Sequence, residues 1–209
     1  MGLREQKKQR TREALTSAAM RLFAERGFDR VTVADVASAA GVAVTTVFNY
    51  FPAKEDLFFD QAAEVEGRLA EVVRSRPAGV PVTDAVRDDL LGALRGGEET
   101  LGLDQRAAAF WRIVAGSTAL QARLLAIGER AEAALADVLA AEWQAGPRDA
   151  LPRVLAGAIA GAHRAVIAEI RRGIVAGDDP AAVRATALAA TEQAFAVLGS
   201  GLSHQPPPA

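Results

Sequence analysis

Apolar positions along the chain recur at spacings of three and four, the signature of one helical face, and almost nowhere alternate as a strand would. From Thr11 to Arg26, Leu15, Ala18, Ala19, Leu22 and Phe23 share a face that Gly27 ends. Val33, Val36 and Ala37 form a second, shorter face. Gly41 interrupts it, and Val42, Val47 and Phe51 restore an inward face before Pro52. Thr32 followed by Asp35 has the form of a capping box in which Asp stands for the usual Glu. Two short helices hinged at one glycine are the anatomy of a helix-turn-helix. A solvated turn between two core helices is the alternative that the same pattern allows.

Further on, the spacing predicts one long helix over 54–76 with Leu57, Phe58, Val65, Leu69, Val72 and Val73 inward, broken by the segment from Pro77 to Pro81. A helix capped by Thr83 and carrying Val86, Leu90 and Leu94 should follow as far as Gly96-Gly97. A short helix near 104–115 and a longer one from Thr118 to about Trp143 come next. After Gly146-Pro147 the stretch 149–175 carries a broad apolar stripe, in which Gly157 and Gly161 permit close helix approach. Asp179 caps the last helix, with Pro180 at its first position. The expected fold is all-α. A basic mobile arm over 1–10 precedes an N-terminal three-helix domain with the helix-turn-helix over 11–53. A larger C-terminal helical domain over 54–203 and a disordered, proline-rich tail over 204–209 complete it.

Composition narrows the chemistry. Half of the 209 residues are hydrophobic, enough for a substantial core. Cysteine is absent, which removes disulfides and thiolate metal sites. His163 and His204 are the only histidines, no glycine-rich phosphate loop follows a strand, and no Glu-x-x-His pair occurs. Neither an enzyme nor a cofactor or metal protein is expected, and His163 reads as a core or interface residue. No apolar run reaches membrane-spanning length, so a soluble cytoplasmic chain without a membrane partner is the expectation.

Charge changes the picture more. The net charge is only −2, yet nine Lys or Arg stand against five acids through Lys54, giving that end +4 and the remainder −6. All three lysines, Lys7, Lys8 and Lys54, lie in this basic end, as expected of a segment that approaches phosphates. With Val47 and Phe51 inward, Thr45 and Asn49 point most directly outward from the second short helix, flanked by Thr46, Phe48 and Tyr50. Such a small, uncharged, polar face suits a DNA major groove, where Thr and Asn can bond base edges and methyl groups can meet thymine.

The residues Gly27-Phe28, Thr32-Val33, Val36-Ala37, Gly41-Val42, Thr46-Val47-Phe48, Tyr50-Phe51 and Lys54-Glu55-Asp56-Leu57 together resemble the DNA-binding domain of the tetracycline-repressor (TetR) family, without a gap from 11 to 57. The resemblance implies a sequence-specific transcriptional regulator: a homodimeric repressor on a near-palindromic double-stranded DNA operator, released by an unidentified small-molecule effector. Thr45, Thr46, Asn49 and Tyr50 would face bases or phosphates and Lys54 would grip the backbone. Thr32, Val44 and Phe48 complete the expected DNA-facing set. Phe48 stands where the family commonly has tyrosine, and Ala43 where a Ser or Thr usually caps the recognition helix.

The resemblance also places a ligand pocket among the helices of 54–143, with Phe110, Trp111, Arg112, Gln121 and Arg123 as candidates. An arginine beside an apolar cavity would suit a carboxylate, phosphate or acyl-carrier ligand. It further implies that the last two helices pair with their copies in a dimer interface built on Leu155, Ile159, Gly161, His163, Val166, Leu188 and Phe195; the alternative is that the chain's own helices fill this stripe. The competing functions are a helical small-molecule or lipid-binding protein or enzyme whose helix-turn-helix is structural only, and a nonspecific DNA-coating protein.

Overall fold

Helix formers without Gly or Pro run from Leu3 to Arg26, and the whole stretch is one helix, α1. The computed structural model describes residues 2–104 and 106–202, so His204 and the tail expected over 204–209 lie outside the described residues. After α1 come α2 (Val33–Ala40), α3 (Val44–Tyr50), α4 (Lys54–Phe58), α5 (Ala62–Ser75), α6 (Val82–Gly96), a 3-10 turn (Glu99–Leu101), α7 (Ala107–Ala115), α8 (Thr118–Glu142), α9 (Leu151–Ala176) and α10 (Pro180–Leu202). The all-α expectation holds, with no strand among the described residues. None of their helices is singly long and apolar enough to cross a membrane.

Two compact units divide these helices. The first comprises residues 1–63 and 112–124, the second 64–111 and 125–209. The expected boundary at 53/54 therefore falls ten residues later, and part of α7 and α8 folds with the N-terminal helices.

In the first unit α1 packs on α2 and α4, and α2 on α3. Phe23, Phe28 and Phe58 form its aromatic centre, with ring centroids 4.9 to 6.1 Å apart. Leu15, Ala19, Val36, Val47 and Leu120 are fully buried around it. Truncating one such phenylalanine should cost about 3–5 kcal/mol. Two expectations fail here. Residues 3–10 are not an arm but the first turns of α1, exposed from Arg4 to Arg10: Gln, Lys and Arg favour helix, and Gly2 accepts from the amides of Glu5 and Gln6. The long helix over 54–76 breaks between α4 and α5. Arg12 donates to the carbonyl of Asp60 at 2.7 Å, a bond across 48 residues of sequence that fixes the non-helical corner.

The second unit centres on α10, which packs along α9 and α6. Leu90, Leu94, Ile159, Ile170, Ile174 and Phe195 are almost fully buried in its core. α6 starts at Val82, behind Pro81, so Thr83 is a buried helical residue and not the expected cap. The close approach of α9 and α10 is at Gly173, where an added Cβ would lie 2.6 Å from Val183 Cγ2. Gly157 and Gly161 face only the ends of Glu132 and Arg164.

The expected dimer stripe is corrected in the same way. Leu155, Ile159, Val166 and Phe195 are 0–4% exposed inside one chain, and Leu188 packs against the same core. The residues α9 leaves outward are a different series, Leu151, Val154, Ala158, Ala165 and Val175. The outward side mixes these apolar residues with Arg153, Arg164, Glu169 and Arg172, and the bulkier apolar series turns inward.

Candidate nucleic-acid interface

The helix-turn-helix is built by local chemistry. Thr32 and Asp35 bond reciprocally: the Asp35 amide donates to Thr32 Oγ1 at 3.1 Å, and Asp35 Oδ2 accepts from the Thr32 amide at 2.8 Å and its hydroxyl at 2.5 Å. The Thr32 hydroxyl and amide bonds hold the Asp35 carboxyl below its ordinary pKa. At the other end of α2, Gly41 adopts φ 67°, ψ 33°, the left-handed conformation that glycine enters at little steric cost. The amides of Gly41 and Val42 then bond back to Ser38 and Ala37. Across this turn α2 and α3 meet at 102°, within the helix-turn-helix range.

Val47 and Phe51, at most 1% exposed, anchor α3 from below. The opposite face is open: Val44 is 40% and Phe48 50% exposed, Thr45 and Asn49 are exposed, and Thr46 and Tyr50 are half-buried at its edges. Val44 and Phe48 are the large hydrophobic side chains that the described residues of the first unit leave exposed. Ala43 caps α3 without a side-chain bond, as its side chain dictates.

Two residues expected at DNA are occupied elsewhere. Thr32 is spent in its capping box. Lys54 turns inward: its Nζ donates to the carbonyls of Phe28 at 3.0 Å and Val31 at 3.1 Å and lies 4.1 Å from the Phe28 ring centroid. It ties the loop after α1 to the start of α4. Arg12 does similar work over the Phe51 ring, 4.5 Å from its centroid. Exposed cations remain on α1, at Arg4, Lys7, Lys8, Arg10, Arg21 and Arg26.

The expected ligand set is divided between the two units. Phe110 and Trp111 belong to the second unit, whereas Arg112, Gln121 and Arg123 belong to the first. Arg123 pairs with Asp56 at 3.1 Å, and Gln121 donates to the Ala115 carbonyl at 2.8 Å. Trp111 stacks edge-on against Phe110 and lies 5.4 Å from the Arg171 guanidinium, with its ring N–H buried and unpartnered among the described residues. The second unit instead holds a cavity of about 120 Å³ beside Arg68 and His163. Nothing in the sequence pattern marked it, beyond two polar residues at half-buried positions of apolar helices.

A 102° helix pair with an open, mixed polar and apolar outer face defines a helix-turn-helix protein. Residues 15–60 match the family described as bacterial regulatory proteins, tetR family. TcmR, a helix-turn-helix transcriptional regulator of Streptomyces glaucescens, is 32% identical over 144 residues, 67% of this chain and 63% of TcmR. The chain thus matches less than two thirds of that relative's length. The structure of NalD, the secondary repressor of the MexAB-OprM multidrug efflux pump in Pseudomonas aeruginosa, superposes with a TM-score of 0.57 at 20% identity, covering 89% of this chain and 97% of NalD. SmeT of Stenotrophomonas maltophilia in complex with triclosan superposes at 0.53 with 19% identity, covering 88% and 90%. These two likenesses show the fold. Over residues 15–60 the chain belongs to the TetR family.

Proposed function

We propose that this chain is a transcriptional regulator that docks α3 in the DNA major groove, acts as a homodimer on a near-palindromic operator, and releases it when a small molecule binds the second unit. The observation that carries the DNA reading is the outer face of α3, where Thr45 and Asn49 stand exposed beside Val44 and Phe48 on a helix held by buried Val47 and Phe51. Thr and Asn supply donors and acceptors for base edges, and the methyl groups of Val44 and Thr45 suit thymine. Exposed cations on α1 supply the sequence-independent attraction to phosphates.

The dimer reading rests on the outward series of α9, Leu151, Val154, Ala158 and Ala165, at spacings of three, four and seven that keep one seam, and on exposed Ala185, Ala189, Ala196 and Val197 of α10. Small and apolar residues on two adjacent, solvent-facing helices favour a second copy over water. The ligand reading is supported by the cavity of the second unit and by the fold shared with SmeT in its triclosan complex.

The test is binding to DNA enriched from a random pool, by wild type and by Thr45→Ala and Asn49→Ala. Each substitution should weaken binding to the enriched site by about 1–3 kcal/mol while leaving the affinity for scrambled DNA unchanged. Equal losses on both DNAs would remove α3 from base contact.

A further inference from the structure

The cavity of the second unit is walled by apolar side chains of α5, α6, α8 and α9, among them Val65, Leu69, Leu90, Ala131 and Ile167. Its arginines are already committed. Arg68 forks onto both oxygens of Asp89 at 2.9 and 3.2 Å and also bonds Glu98, which accepts from Thr100 as well. Arg164 pairs with Glu132 at 3.1 Å. On the wall Glu64 and Glu98 stand against Arg68 and Arg164, and both arginines are already paired, so an entering anion meets balanced charge and no uncommitted arginine.

His163 of α9 lines the same space. The groups that act on its ring are Arg68 of α5, Asp89 and Glu98 of and just after α6, and Arg164 of its own helix, and none of them hydrogen-bonds to it. Burial first, then Arg68, pushes its pKa down to about 4, so near neutral pH the ring is uncharged and offers one N–H donor and one lone pair. A polar ring facing an apolar space without a partner is a specificity element awaiting a matching group. An engineered apolar cavity of roughly 150 Å³ holds benzene, so about 120 Å³ suits one ring-sized group with slight relaxation.

We propose that this cavity takes a neutral, apolar, ring-sized group bearing a hydroxyl, and that the hydroxyl hydrogen-bonds to the His163 imidazole. This deepens the ligand-responsive reading above and rests on it only for what binding does to DNA affinity. It also replaces the expectation of a carboxylate, phosphate or acyl-carrier ligand, whose charge would find no free arginine in this cavity.

The experiment titrates the full chain with four probes of one shape: p-cresol, toluene, 4-methylbenzoate and 4-methylbenzylammonium. Affinity is read by calorimetry and contact by the imidazole proton resonances, which are few because the chain has only two histidines. p-Cresol should bind about three- to tenfold more tightly than toluene, one hydrogen bond's worth, and should move the His163 signal but not that of His204. His163→Leu should keep the toluene affinity and erase the p-cresol advantage. The wild-type resonances carry the test if that variant fails to fold. Tightest binding by either charged probe, or an unmoved His163 signal with all four, overturns the proposal. p-Cresol seated at His163 without effect on DNA affinity supports the cavity assignment and refutes the regulatory reading instead.

Discussion

Lys54→Met separates two roles for a lysine at the start of α4. In the structure its ammonium bonds the carbonyls of Phe28 and Val31 and lies over the Phe28 ring, so it works as an internal tie. Bonds to a charged donor contribute about 1.5–3 kcal/mol, and a cation over an aromatic ring about 0.5–1 kcal/mol more at a part-exposed site. One ammonium shared between two carbonyls does not double the first figure, and methionine keeps the packing of the stem. The loss should therefore be about 2–3 kcal/mol. Amide hydrogen exchange in α2 and α3 reads it directly: protection should fall by about 30- to 150-fold. The dependence of DNA affinity on salt should keep its slope, because no phosphate contact is removed. Unchanged protection, with a slope lower by about 0.9, would refute the internal tie and return Lys54 to the DNA backbone.

Four further outcomes follow from particular contacts. Thr32→Ala removes a capping box and should destabilise the first unit by about 1 kcal/mol in urea melts, with Thr32→Ser close to wild type. Gly173→Ala places a methyl 2.6 Å from Val183 Cγ2; overpacking should outweigh the gain in helix propensity and lower stability by about 1–2 kcal/mol, with a favourable coupling to Val183→Ala in a double-mutant cycle. His163 titrates near 4 when folded and near 6.5 when unfolded, so the unfolded chain binds the extra proton between those values. Stability is full above about pH 6.5 and falls as pH drops toward 4, by at most about 3 kcal/mol; His163→Leu should flatten this window in urea melts at stepped pH. Phe48→Tyr adds a phenolic donor on the exposed face of α3 and should tighten binding to all DNA sequences alike; unchanged or weaker affinity would mean that α3 docks without a phosphate near position 48.

What could be read from the sequence was what is decided locally. The Thr32 to Asp35 box, the turn at Gly41 and the inward Val47 and Phe51 each depend on residues within a turn or two, and all three stand as the spacing implied. The break after α4 is not legible locally: the contact that holds the corner comes from Arg12, reaching the Asp60 carbonyl from 48 residues away. Arg123 has the pattern of a ligand contact, but its pairing with Asp56, 67 residues distant, is not legible in local spacing. Lys54 matched the family spacing in position yet bonds the loop carbonyls of its own unit. The dimer stripe failed for a different reason. On α9 both Leu155 with Ile159 and Val154 with Ala158 satisfy helical spacing, and periodicity does not say which of two apolar faces meets the chain's own core.

The central claim is that the open face of α3 reads base sequence from a two-fold dimer. Selection of bound sites from fully random DNA by the purified full chain tests it most directly. The expected result is a near-palindromic motif with half-site centres about 10–10.5 base pairs apart or a multiple of that, lost with Asn49→Ala. Recovery of unenriched DNA, or of an asymmetric motif that Asn49→Ala leaves intact, would contradict it.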